Sequence, residues 1–174
     1  MPFPAAHFAS ALSNSVLEHI PQVQSVLVEL RRVLKPAAPF IFCVPNPRYL
    51  TELSVPAFFQ RIKLAGVGQA YTGWFQRMSR VEHAHWPDVW QAWLEAAGFR
   101  LEQWWHYFSP QAMRTLEWGH YFGAPTLLPH AISRRWIIAP WRWNLFLTER
   151  LVRQHAIAQP DPQGTFTFYI ARSV

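Results

Sequence analysis

Apolar residues at positions 23, 26, 27, 30, 33 and 34 (Val23, Val26, Leu27, Leu30, Val33, Leu34) fall on one face of a helix. Pro21 opens that helix, Pro36 stops it, and Arg31, Arg32 and Lys35 suit the negative end of its dipole. A short strand over residues 8–13 precedes it. Phe40–Val44 follows, apolar at every position, and a strand without alternation is expected to be buried on both faces of a parallel sheet. Strand, helix and strand predict a right-handed βαβ unit. Tyr49–Leu64 reads as helix and Gly66–Gly73 as loop. Pro87 sits at the first position of a further helix whose apolar face is Trp86, Val89, Trp90, Trp93, Leu94 and Ala97, with Gly98 as its C-terminal cap. Arg100–Phe108 reads as the next strand. Pro110–Tyr121 and Pro140–His155 read as helices joined by a Pro-containing loop. In the last strand, Thr165–Arg172, Phe166, Phe168 and Ile170 make one face more apolar than the other.

The order of these pieces carries a resemblance. Met1-Pro2-Phe3, the strand at Phe8–Ser13, Leu17-Glu18-His19-Ile20, Arg32-Val33-Leu34-Lys35-Pro36 and Phe40–Val44 occur in sequence, followed by Leu94-Glu95-Ala96-Ala97-Gly98-Phe99. This succession resembles the second half of class I S-adenosylmethionine-dependent methyltransferases of the methyltransferase-11 type. The match covers residues 1–46 and 83–108 well and 164–172 loosely. The resemblance implies an α/β fold: a partial Rossmann-like sheet of the family's fourth to seventh strands, the last one antiparallel, with helical insertions on the ligand face. The family's first half has no counterpart here, including its Gly-x-Gly-x-Gly turn and the acidic end of its second strand. The expectation is therefore one truncated methyltransferase domain over residues 1–174, with residues 48–82 and 109–163 as lid-like insertions. Little or no activity is expected of this chain alone, and a start site assigned too late would explain its beginning. Two departures stand out: Ala9 occupies a position where the family usually has Asp, and Ala37-Ala38 replaces a Gly-Gly turn. If that turn needs positive φ, each Ala costs about 1–2 kcal/mol.

By resemblance the cofactor is S-adenosylmethionine, contacted by Phe3, Asn14, Ser15 and His19. Asn14 and Ser15 could equally form a turn and cap the next helix. His83 and His85, just ahead of the Pro87 helix, are candidate catalytic bases, with a capping or hydrogen-bonding role as the competing reading. His-x-His without further Cys or His nearby is no metal motif. The insertions hold Phe58, Phe59, Tyr71, Trp74, Phe75, Trp118, Tyr121, Phe122, Trp136, Trp141, Trp143 and Phe146. Tyr71, Trp74, Trp118 and Tyr121 are singled out as lid residues over a bulky apolar or aromatic small-molecule acceptor. The competing reading is that these rings pack the insertions together. Pro45-Asn46-Pro47 follows the family's fifth strand, so it is not the Asn-Pro-Pro-Tyr box of amino-methylating enzymes.

Composition narrows the rest. Ten Trp, thirteen Phe and five Tyr among 174 residues imply a very aromatic core or an aromatic surface that something covers. The net charge of +6 comes from scattered residues without a run of like charge, so no nucleic-acid partner is expected. Arg134-Arg135-Trp136-Ile137-Ile138 and Trp141-Arg142-Trp143 offer weak membrane-surface contact as an alternative. Another is a non-catalytic half-domain whose exposed sheet edge a partner chain covers. Cys43, the single cysteine, reads as a buried core residue. Neither a signal peptide nor a membrane-spanning run is visible, so the cytoplasm is the expected compartment.

Overall fold

The computed structural model describes residues 1–119, 126–135, 141, 146, 149–150, 152–155 and 159–174. Four strands form one sheet: β1 (Ala11–Asn14), β2 (Pro39–Pro45), β3 (Phe99–Tyr107) and β4 (Phe166–Ser173). Their spatial order is β1-β2-β4-β3. β1 and β2 run parallel, and β4 is antiparallel to both β2 and β3. The last strand is thus antiparallel, as the resemblance implies, and it inserts between its two predecessors.

Helix α1 (Val23–Val33) returns the chain from β1 to β2 and buries Val23, Leu27 and Val33. The connection ends in a turn at Ala37 with φ of 60°. Helix α2 (Arg48–Thr51), α3 (Ser54–Arg61) and α4 (Ala65–Ser79) follow β2. Helix α5 (Pro87–Ala96) precedes β3, and Gly98 caps it with φ of 87°. Helix α6 (Pro110–Gly119) and α7 (Leu127–Ser133) lie between β3 and β4.

Two apolar clusters organise the described residues. The larger joins Val23 and Leu27 of α1, Phe40 and Phe42 of β2, Trp90 and Leu94 of α5, and Tyr169 and Ala171 of β4. Phe42 stacks on Tyr169 with ring centroids 4.6 Å apart. Helices α1 and α5 therefore cover the same sheet face, while Ala112, Thr115 and Leu116 of α6 lie over the other, and β2 is buried at every position from Phe42 to Pro45, as its apolar run implies. The second cluster gathers Tyr49, Leu53, Phe75, Val81 and Met113, with Phe108 and Phe166 packed against it.

Three expectations need correction. Gly66–Gly73 is not a loop but the body of α4. Gly68 is there because α4 crosses α3 closely: a Cβ on it would sit 3.1 Å from the Pro56 carbonyl oxygen. Tyr49–Leu64 is not one helix, since it breaks at Glu52–Leu53. A distant residue starts α3 anew: the buried Glu117 carboxylate accepts from the Ser54 and Val55 backbone N–H groups at 2.6 and 3.2 Å. On β4 the less apolar face is the deeper one. Thr167, Tyr169 and Ala171 are fully buried, whereas Phe166, Phe168 and Ile170 are half-buried. Hydrogen bonding makes that possible, because the Thr167 hydroxyl meets His106 Nδ1 at 2.8 Å.

Candidate functional site

In an open α/β sheet, ligands bind beyond the carboxyl ends of the parallel strands. Here those ends are Asn14 and Pro45, and a cavity of about 280 Å³ opens there. Ser15, Glu18 and His19 form its β1 side. Tyr49, Phe75, Ser79 and Val81 form the side built by the insertion after β2, and Leu116 and Phe166 close it.

The β1 side is built by one unusual turn. Ser15 takes φ of 51°, a left-handed conformation uncommon outside glycine, while its N–H donates to the Cys43 carbonyl at 3.1 Å. The chain then winds into a short 3-10 turn, Leu17–His19, that buries Leu17 and Glu18 and leaves His19 exposed. His19 Nδ1 lies 2.8 Å from the Arg80 carbonyl oxygen. A carbonyl only accepts, so Nδ1 carries the proton. His19 Nε2 stands 3.8 Å from Glu18 Oε1.

Glu18 lines this cavity at only 2% exposure. Its Oε2 has no hydrogen-bond partner. Its pKa is raised: burial is the main cause, opposed by a backbone hydrogen bond and by His19. The glutamate sits inside the Leu17–Ile20 motif, yet sequence reasoning assigned it no role. A glutamate beside an exposed histidine reads as surface, and only the fold buries it. Tyr49, Ser79 and Val81 were missed for a simpler reason: no spacing signal links them to β1.

The predicted cofactor residues divide. Asn14, Ser15 and His19 meet at the carboxyl end of β1. Phe3 does not join them. Its carbonyl accepts from Arg32 Nη2 at 2.9 Å and its ring packs on His7 and Phe8. A residue that precedes a strand lies at the strand's amino end, and Arg32 belongs to the last turn of α1, which has returned to that end.

His83 and His85 are not among the residues that line the cavity. His83 Nε2 donates to the Ile20 carbonyl at 3.0 Å, and both imidazoles meet the Trp93 ring edge-on. Burial, then the neighbouring His83, lowers the pKa of His85. Of the lid candidates, Tyr71 and Trp74 pack into the second cluster around Phe75. Burial raises the Tyr71 hydroxyl, helped by the Glu117 carboxylate. Trp118 is exposed and donates from Nε1 to Ser54 Oγ at 2.7 Å. Tyr121, Phe122, Trp136 and Trp143 lie outside the described residues, as do half of the expected Pro140–His155 helix and residues 136–138 and 142–143 of the two basic-aromatic runs.

A second cavity of about 600 Å³ lies against the sheet face away from α1 and α5. Its floor holds Asn14, Cys43 and Tyr107, and Trp105 and Phe168 stack along it at 4.6 Å. Cys43 Sγ donates to Asn14 Oδ1 at 2.7 Å. Burial, then the Cys43 thiol, pushes the Tyr107 hydroxyl well up. Asn14 thus fronts one cavity while Ser15 and His19 front the other.

Among the described residues no group of three or more His, Cys, Asp or Glu side chains could hold a metal ion. Nor is any helix there long and apolar enough to cross a membrane.

Residues 1–42 match the family model described as "Methyltransferase domain". No curated protein matches the sequence. Solved structures match its fold. An S-adenosylmethionine-dependent methyltransferase from Mesorhizobium loti aligns with TM-score 0.52 and 14% identity, over 99% of this chain and 65% of its own. The [4+2]-cyclase SpnF aligns with TM-score 0.54 and 16% identity, over 99% of this chain and 52% of its own. The chain spans about half the length of the first structures it matches. Its first 42 residues thus resemble methyltransferase-domain sequence, and its sheet has the fold of part of the sheet in those structures.

Proposed function

We propose that this chain, a partial class I methyltransferase, takes part in S-adenosylmethionine-dependent methyl transfer to a small, bulky apolar or aromatic acceptor. The observation that carries this reading is one cavity at the carboxyl ends of β1 and β2. Ser15 and His19, named from the cofactor side of the family pattern, face Tyr49 and Phe75 of the aromatic insertion across it.

When bound, S-adenosylmethionine supplies an electrophilic methyl group on a sulfonium. Ser15 and His19 fit one side of such a ligand, since both are exposed at the strand end, line the cavity and belong to a turn that Ser15 holds in a left-handed conformation, whereas Asn14 faces the second cavity. The rest of this chain's work is positioning and exclusion of water. Tyr49, Phe75 and Phe166 give the acceptor flat apolar walls, and the Leu116 side of the cavity closes it from α6. Holding two reactants in line is the main contribution a protein makes to such a displacement. The fold by itself does not fix the reaction, as the cyclase among its structural matches illustrates.

Calorimetric titration of the 174-residue chain with S-adenosylmethionine tests the reading. Micromolar binding, weakened about tenfold in Ser15→Ala or His19→Ala, supports it. Absence of binding overturns it for this chain and favours the second reading, a half-domain completed by a partner chain. That second reading draws on β1, whose outer edge pairs with no strand among the described residues and whose Leu12 is 76% exposed.

A further inference from the structure

We propose that the cavity beside Glu18 is a recognition site for the ammonium group of a small aromatic amine. The proposal rests on reading this cavity as the acceptor site, and it narrows the acceptor to one chemical class.

Three observations converge. Glu18 lines the cavity at 2% exposure with Oε2 unpartnered, which is an unusual state for a carboxylate. Among the described residues that line the cavity there is no Lys or Arg, and the nearest basic group, His19 Nε2, stands 3.8 Å from Oε1, beyond hydrogen-bond reach. Its walls are aromatic: the Tyr49 ring lies 5.7 Å from Phe75 and 5.6 Å from Phe166, centroid to centroid.

Each feature selects the same group. A buried carboxylate gains charge-assisted hydrogen bonds from an N–H donor that carries positive charge. Ring faces attract a cation more strongly as it is desolvated. The Ser15 and Ser79 hydroxyls, on opposite sides of the cavity, can accept from the remaining ammonium protons. A neutral alcohol would satisfy Oε2 but draw nothing from the rings, and an anion would meet the carboxylate. About 280 Å³ accommodates a benzene ring with a short amine arm. The titratable groups facing Glu18 are His19, whose Nε2 is 3.8 Å from Oε1, and the Tyr49 and Tyr107 hydroxyls.

Benzylamine, benzyl alcohol and benzoate are the probes, titrated into the full chain at pH 7.5 and followed by calorimetry and amide NMR shifts. Benzylammonium is expected to bind about tenfold more tightly than benzyl alcohol, and benzoate not to bind. Glu18→Gln is expected to remove that preference while leaving benzyl alcohol binding unchanged. Equal affinity for benzylammonium and benzyl alcohol, or an unchanged preference in Glu18→Gln, overturns the proposal. Should the variant fail to fold, the Glu18 side-chain carboxyl carbon signal decides in the unmodified chain: it must shift with benzylammonium and not with benzyl alcohol. Binding of S-adenosylmethionine is measured separately. A chain that takes benzylammonium through Glu18 but not S-adenosylmethionine loses the methyl-transfer reading and keeps the amine site. A chain that binds S-adenosylmethionine without discriminating the amine does the reverse.

Discussion

Asn46 Nδ2 donates to the Gly164 carbonyl at 2.9 Å, tying the exit of β2 to the entry of β4. The same amide reaches Thr167 Oγ1 at 3.3 Å, and Asn46 Oδ1 accepts from the Arg48 N–H at 2.9 Å. Asn46 is fully buried, so these bonds form without competition from water. Gly164 is itself wedged against Tyr107, whose carbonyl oxygen would lie 2.3 Å from an added Cβ. One residue between two prolines thus sets the end of the sheet on which the cavity stands.

Asn46→Ala is expected to cost about 3 kcal/mol, because it leaves a buried carbonyl and a helix-start N–H without partners. Urea denaturation monitored by circular dichroism measures this. A loss below about 0.5 kcal/mol would mean that water or a rearranged backbone replaces the amide.

The turn at Ala37 gives a prediction of the opposite sign. Ala37 sits at φ of 60°, with its N–H donating to the Ser173 carbonyl at 3.0 Å and its own carbonyl accepting from Arg172. An alanine pays a steric cost in this region that glycine does not, and glycine loses part of the gain through its freer unfolded chain. Ala37→Gly is therefore expected to stabilise by about 0.5–1 kcal/mol, a rise of about 2 °C in Tm on a thermal melt.

Legibility followed the range of the interactions. The α1 face, the β2 run, the Pro87 start and the Gly98 cap all arise within one element, and all four stood in the sequence. Ala37 did too, since a missing glycine in a turn of known geometry points at its φ. The break before α3 did not, because the group that caps it, Glu117, is 63 residues away from Ser54. Gly68 misled for a related reason: a glycine that admits a neighbouring helix looks, in one dimension, like a glycine that makes a loop. The place of Ser15 and His19 beyond a strand end was legible through the family resemblance, and both line the cavity there. Their partners across the cavity come from elements whose approach no local pattern encodes.

The uncovered edge of the sheet leads to a third expectation. Leu12 pairs with Ile41 on β1, is 76% exposed, and belongs to a strand without an outer neighbour among the described residues. An exposed apolar edge strand invites association. Sedimentation velocity of the isolated chain at high micromolar concentration is expected to show self-association, and Leu12→Lys to shift the distribution toward monomer. A distribution unchanged by Leu12→Lys would place the contact elsewhere.

Glu18 also makes a prediction about pH that needs no ligand. Its folded-state pKa is raised above the ordinary value of 4.5, chiefly by burial. The folded chain therefore holds this proton more tightly than the unfolded chain does. Below pH 4.5 the carboxyl is neutral in both states and costs nothing. As pH rises through the folded pKa, ionisation of a desolvated carboxyl opposes folding, and that penalty persists to neutral pH. Glu18→Gln keeps the shape and removes the charge. It is expected to raise Tm at pH 7 and to leave it unchanged at pH 4, so the difference between variant and parent grows from about pH 4.5 upward. Thermal melts of both proteins across that range measure it. A variant less stable than its parent at pH 7 would mean that the carboxylate has a partner in solution, and that His19, at 3.8 Å, has closed on it as an ion pair.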